Sequence, residues 1–271
     1  MTSRPEHGRT ATDDQGTAHR LGAVRRVVSL VPSLTEAVAA TAPDLLVGAT
    51  DWCSHPADLD VTRIGGTKNP DTALIAALRP DLVLANEEEN RAPDLAALRA
   101  AGLAVWVTEI RTLDQALASL ERLLVLGCGL PSPEWLADAR AAWEGVAAGT
   151  VRRAVVPIWR RPWMVLGRDT FAGDLLHRLG VDHVYADHPE RYPAIPLDRL
   201  TTAGADLVVL PDEPYRFTAT DGPDAFPDLP AALVSGRHLT WYGPSLTEAP
   251  AVLAEQLTLT VQGREELRDQ P

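Results

Sequence analysis

The chain has 271 residues, of which 45% are hydrophobic and 23% charged, and its 37 acidic against 25 basic side chains give a net charge of -12. That composition points away from disorder, and the absence of any run near the roughly 20 apolar residues of a bilayer span points away from membrane insertion. The acidic balance, unrelieved by any Lys/Arg-rich run, sets nucleic acid aside as a partner, and the two cysteines, Cys53 and Cys128, are too few for a disulfide scaffold and fit a reducing compartment.

Residues 1–23 are polar and are expected to form a disordered arm. Arg25-Arg26 followed by Val27 to Val31 imitates a secretory signal, but Pro32 and Glu36 interrupt the apolar segment, so a cytoplasmic protein is expected. The first α/β lobe, 24–112, opens with a strand from Val24 to Leu30. Ser33-Leu34-Thr35-Glu36 has the spacing of a capping box for a helix through Ala42. A strand at Leu45 to Ala49 ends in the loop Thr50-Asp51-Trp52-Cys53-Ser54-His55-Pro56, and Gly65-Gly66-Thr67 marks another loop. Strands at Leu82 to Ala85 and Ala104 to Val107 alternate with helices at Asp71 to Leu78 and Pro93 to Ala101, as in a parallel sheet with right-handed crossovers.

No strand signal interrupts Leu113 to Ala148, where apolar residues recur at helical spacing. Residues 113–150 are read as a helical linker. The second α/β lobe, 151–263, starts with a strand at Ala154 to Ile158 and continues with a helix at Phe171 to Leu179 and strands at Val184-Tyr185 and Leu207 to Leu210. A Pro-rich excursion runs from Pro211 to Pro230. A last strand is placed at His238 to Trp241, a terminal helix at Leu246 to Thr260, and 264–271 as a frayed tail.

Two stretches echo each other. Leu78-Arg79-Pro80-Asp81-Leu82-Val83-Leu84-Ala85-Asn86 leads into Glu87-Glu88-Glu89, and Ala203-Gly204-Ala205-Asp206-Leu207-Val208-Val209-Leu210-Pro211 leads into Asp212-Glu213. Each is an apolar run introduced by Asp and closed by acids, the form of a buried parallel strand opening onto a functional edge.

Together with Val28-Ser29-Leu30-Val31-Pro32-Ser33-Leu34-Thr35-Glu36 and Gly65-Gly66-Thr67, these residues resemble the class III periplasmic-binding-protein fold over roughly Val24 to Leu257. That group includes cobalamin- and iron-siderophore-binding proteins of ABC importers. The resemblance implies two Rossmann-like lobes with parallel sheets, one helical backbone linker, and a ligand cleft between the lobes. In the cobalamin binders aromatic side chains clamp the flat corrin; Trp52 and Trp241 fall at two matching positions and Asn86 at the third. The exposed glutamates that meet an importer's permease fall at Ala92 and Gly243, so ordinary docking onto an ABC permease is not expected.

The residues themselves offer further candidates. Cys53 and His55 pair a soft thiol with an imidazole, and Glu87, Glu88 and Glu89 crowd carboxylates where a cation would relieve repulsion, so Cys53, His55 and Glu89 are candidate metal contacts. Trp159, Arg160, Arg161 and Trp163 offer stacking faces and fixed donors, and Glu213 and Tyr215 follow a strand end. His177 and His183 read as structural. Gly127-Cys128-Gly129 fails as a dinucleotide loop, and no P-loop, Gly-x-Ser-x-Gly or His-Glu-x-x-His is present. The expected function is non-catalytic binding, by a monomer, of a small-molecule or metal-complex ligand: a corrinoid, haem, ferric siderophore or metal ion. The alternatives are a chelatase-like enzyme using His55 with Glu87 to Glu89, or a ligand sensor that binds a protein partner.

Overall fold

A computed structural model describes residues 9–146 and 151–261. The start of the expected arm, 1–8, the end of the linker, 147–150, and the tail, 264–271, lie outside them. The chain divides into two compact units, each built round a five-stranded sheet. The first holds the described residues through Ile110, then Asp114–Ala137 and Tyr242–Pro244, and the second holds Arg111–Leu113, Asp138–Trp241 and the described residues from Ser245 onward.

The first unit opens with a hairpin of β1 (Arg9–Thr12) and β2 (Ala18–Leu21). There follow β3 (Val27–Ser29), α1 (Pro32–Thr41), β4 (Leu46–Ala49), β5 (Thr62–Arg63), and the small antiparallel pair β6 (Gly65–Gly66) and β7 (Asn69–Pro70). Next come α2 (Thr72–Ala77), β8 (Leu82–Asn86), α3 (Ala92–Ala100), β9 (Val105–Thr108) and α4 (Leu113–Glu121), which continues as a π-helical turn over Arg122–Gly127. The sheet order is β5-β4-β3-β8-β9, parallel throughout. Every residue of β3, β8 and β9 is buried, which explains their continuous apolar runs.

The hairpin corrects the expectation of a disordered arm. Its polar composition hides a turn in which the buried Asp13 carboxylate accepts from the N–H groups of Gln15, Thr17 and Val107 and pairs with His19 Nε2 at 3.1 Å. Asp14 accepts from Glu109 N at 2.9 Å and pairs with Arg122, while the His19 ring stacks on Trp106. The two aspartates thus satisfy outward-facing N–H groups at the edge of the sheet, where β9 lies. The capping box is not formed either. Helix α1 starts at Pro32, whose fixed φ suits the first turn, and Thr35 bonds back to Val31 O at 3.0 Å.

α5 (Glu134–Glu144) draws residues from both units, so the linker region consists of two helices, α4 and α5. The second unit continues with β10 (Arg152–Val155), β11 (Pro157–Arg160), β12 (Trp163–Val165), α6 (Phe171–Arg178), β13 (Val181–His183) and α7 (Leu197–Thr201). It closes with β14 (Leu207–Pro211), β15 (Ala231–Val234), α8 (Gly236–Thr240), α9 (Ala249–Thr258) and β16 (Thr260–Val261). The sheet order is β13-β10-β14-β15-β16, with only β16 antiparallel. Val155, Val208, Leu210, Phe217 and Phe226 are among the buried residues of its core.

Two boundaries differ from expectation for local reasons. The strand placed at Ala154 to Ile158 breaks after Val155, and Pro157 begins a separate antiparallel hairpin of β11 and β12. The strand placed at His238 to Trp241 lies earlier, at β15; Ser235 then caps α8, its hydroxyl accepting from His238 N and also lying 2.8 Å from the His238 ring Nδ1.

The echo read in the sequence is structural. Asp81 accepts from Arg25 N and Arg26 N at 2.8 and 2.9 Å, tying β8 to the chain entering β3, and Asp206 accepts from Arg153 N at 2.7 Å, tying β14 to β10. Both aspartates precede the strand beside the sheet's point of reversal. They mark the amino ends of β8 and β14, whereas open α/β sheets offer the opposite, carboxyl ends to ligands at that point.

Candidate functional site

Beyond the carboxyl end of β4, the loop holding Trp52 is fixed from within. Arg63 donates to the carbonyls of Thr50, Cys53 and Leu59 at 3.0, 2.9 and 3.2 Å, and Cys53 is the buried anchor, its Sγ 3.0 Å from Thr35 Oγ1 and 3.1 Å from Thr50 Oγ1. Burial pushes the Cys53 thiol above its usual range. With Cys53 turned in, its neighbour Trp52 stands 68% exposed, an unusual state for so large an apolar side chain. Gly66 lies close by: a Cβ there would meet Asn69 Oδ1 at 2.5 Å and Trp52 Nε1 at 3.4 Å.

The structure does not gather Cys53, His55 and Glu89 into one metal-binding group. Cys53 is a core residue bonded to two hydroxyls, His55 Nδ1 lies 3.1 Å from Ser54 Oγ, and no group of three or more His, Cys, Asp or Glu among the described residues is arranged to hold a metal ion.

Asn86 is engaged within the fold. It is buried, its amide nitrogen donates to Thr108 O and Oγ1 at 3.1 Å, and its Oδ1 accepts from Glu88 N and Glu89 N at 2.9 and 3.3 Å. Asn90 returns the contact by accepting from Asn86 N at 2.9 Å and donating to Leu30 O and Thr67 O. Glu87, Glu88 and Glu89 are therefore the rim of a closed turn. Lys68 donates to the Glu88 carbonyl, and burial holds the Glu89 carboxyl above the usual range, opposed by the Lys68 charge. Tyr242, buried in this same unit, bonds Ser33 and Thr108 through its hydroxyl, which burial and the Glu89 charge push upward.

In the second unit the candidates group differently. Trp159 is 42% exposed and meets the Tyr215 edge at 5.6 Å between ring centroids, and Tyr215 packs on Phe217 at 4.7 Å. Trp163 is partly buried, stacked on Phe217 and edge-on to Phe226, so it packs against the core of its unit. Arg160 is also engaged: its guanidinium grips Asp224 through two nitrogens at 3.1 and 2.6 Å, pairs with Asp221, and lies 5.4 Å from the Trp163 ring centroid. Arg161 is exposed at the turn of the hairpin.

Trp241 is buried, 6% exposed, and donates from Nε1 to Glu213 Oε2 at 2.9 Å, so this indole is not an open stacking face. Burial raises the Glu213 carboxyl and the Trp241 bond opposes it. A Cβ on Gly236 would fall 2.5 Å from Glu213 Cβ and 2.6 Å from its backbone N, so only glycine permits this approach. Of the two positions matched to permease-docking glutamates, Ala92 is exposed at the start of α3, while Gly243 is buried with Ser33 O 3.2 Å from a hypothetical Cβ.

Sequence reading missed Arg63, Lys68, Asp221 and Asp224. The turn-forming run Asp221-Gly222-Pro223-Asp224 was the available signal for the aspartates, read only as part of an excursion.

Two α/β units, each built round a mainly parallel five-stranded sheet, and a pair of helices that draws on both, define a class III periplasmic-binding-protein-like fold. The vitamin B12-binding protein of Pectobacterium carotovorum subsp. carotovorum is 23% identical over 254 residues, covering 88% of this chain and 90% of that protein. Among solved structures, the periplasmic haem-binding protein RhuT of Roseiflexus sp. RS-1 matches with a TM-score of 0.70 at 19% identity, over 86% of this chain and 99% of its own. Helicobacter pylori CeuE with Ni(II) bound matches with a TM-score of 0.77 at 13% identity, over 91% and 88%. No family model matches the chain. The relatives are named as binding proteins.

Proposed function

We propose that this chain is a non-catalytic receptor for a planar or metal-containing complex, a corrinoid or haem, gripped by aromatic faces. The carrying observation is Trp52, held 68% exposed on a braced loop at the carboxyl end of a parallel strand. A large apolar face kept in water by a rigid loop is a surface awaiting a partner, and a flat conjugated ligand satisfies it by stacking. Trp159 with Tyr215 supplies a second such surface in its own unit, with the Arg161 guanidinium on the adjoining turn suited to acidic or amide groups. The names of the relatives support the cargo class: vitamin B12 in one, haem in another.

The test is titration of the purified protein with cyanocobalamin and with haemin, read by tryptophan emission and by the melting temperature. Binding of either should quench emission and raise the melting point. Trp52→Ala should weaken that binding about tenfold, equivalent to about 1.4 kcal/mol, while stability stays within about 0.5 kcal/mol of wild type. No response to either ligand at high excess rejects the proposal.

A further inference from the structure

The excursion after β14, from Asp212 to Pro230, contains one 3-10 turn at Pro223–Ala225 and one isolated bridge between Thr218 and Asp221, and a segment of that length needs tertiary anchors to hold one shape. Its anchors converge on one side chain. Arg160 grips Asp224 with two nitrogens and pairs with Asp221; it is 15% exposed and lies over Trp163, which is itself packed on Phe217 and Phe226.

From the far side, Asp221 Oδ2 accepts from the Tyr215 hydroxyl at 2.7 Å, Asp224 Oδ1 accepts from Gly222 N at 2.7 Å, and Thr218 and Asp221 exchange backbone bonds. Arg160 lies on β11 immediately after Trp159, and alternation along a strand sends the two side chains to opposite faces. Both meet the excursion: Arg160 holds it at Asp221 and Asp224, while Trp159, 42% exposed, meets its Tyr215 ring.

We infer that Arg160 is a positioning residue: it latches the Asp212 to Pro230 segment onto the β11–β12 hairpin through Asp221 and Asp224, so that Trp159 and Tyr215 present one rigid aromatic surface. This rests on the proposed reading of that surface as a ligand face. A guanidinium forked onto one carboxylate and paired with another has few donors left for a ligand, and its value to binding is preorganisation. The same pairing keeps the Asp224 carboxyl below its usual range, as a committed ion pair requires.

The experiment compares wild type, Arg160→Ala, Asp224→Asn and the double variant in two readouts: backbone hydrogen exchange over residues 212–226, and affinity for cyanocobalamin and haemin. The expected result is about a tenfold loss of affinity in each single variant, little further loss in the double, and faster exchange of the segment, reversed by ligand. The inference is overturned if exchange is unchanged in Arg160→Ala. It is equally overturned if Arg160→Ala weakens binding while Asp224→Asn does not, since Arg160 would then be touching ligand directly. Should Arg160→Ala fail to fold, Arg160→Lys, which keeps the charge and loses the fork, is carried through the same readouts with the same criteria. If wild type binds neither probe, the functional reading falls, and the exchange measurement still decides whether the latch exists.

Discussion

The loops that follow β8 and β14 start from nearly the same sequence, an apolar strand closed by acids, and end in opposite conditions. After β8 the chain turns in on itself: Asn86 captures two N–H groups of the glutamate turn, and Asn90 secures Asn86, Leu30 and Thr67. After β14 the strand ends in Pro211, which has no N–H to give, and the acids bond sideways, Asp212 to Gly236 N and Glu213 to the Trp241 indole. The excursion that follows is held by Arg160 and leaves Trp159 and Tyr215 toward solvent. Acidic composition at a strand end therefore does not decide whether the loop closes or presents a surface. What decides is whether an early side chain can gather the loop's own N–H groups.

The sharpest way to break this comparison is at Asn86. Asn86→Ala strands two loop N–H groups, and the Thr108 carbonyl and hydroxyl lose a donor, so unfolding free energy should drop by about 2–4 kcal/mol in urea denaturation. A loss under about 1 kcal/mol would show that the turn is not self-closing. Cys53 gives the second test on the same unit. Cys53→Ala removes a buried sulfur bonded to two hydroxyls and should cost about 1–2 kcal/mol, and in wild type the thiol should resist alkylation until the chain unfolds. Rapid alkylation of the native protein would return Cys53 to the list of accessible ligands.

Much of the fold was readable because it is local. Asp81 and Asp206 precede buried runs of Leu and Val, and such runs bounded by turn residues are the usual form of a buried parallel strand. The hairpin at Arg9 to Leu21 was not readable, since Asp13 and Asp14 look like solvated polar residues until their partners Val107, Glu109 and Arg122 are brought from far along the chain. The site was less legible for the same reason. Trp52 and Trp159 remain open faces, but Trp163 and Trp241 have the same residue type and are turned inward, and nothing in their neighbours' identity distinguishes them. Arg160 reads as a free donor because Asp224 lies 64 residues away and enters only through folding.

The smallest expected effect separates the two loops by sign. Burial raises the Glu89 carboxyl, so the native state binds its proton more tightly than the unfolded chain does, and stability falls as pH rises from the ordinary glutamate range through the raised value. Glu89→Gln removes that loss: it should stabilise the protein above the raised value, by an amount within about 0.5 kcal/mol, and make no difference in acid, where both states are protonated. Asp224 behaves oppositely. Arg160 lowers its carboxyl, so its contribution is complete above the ordinary aspartate range and disappears as pH falls through the lowered value. As a partly exposed pair it is worth about 0.2–1 kcal/mol, which Asp224→Asn should remove at neutral pH and leave unchanged in strong acid. Thermal melts of the two variants across pH should give stability differences of opposite sign at neutral pH that converge in acid. If both variants instead lose stability at neutral pH, the Glu89 carboxylate is satisfied in its ionised form, and the loop after β8 is held by charge as the loop after β14 is.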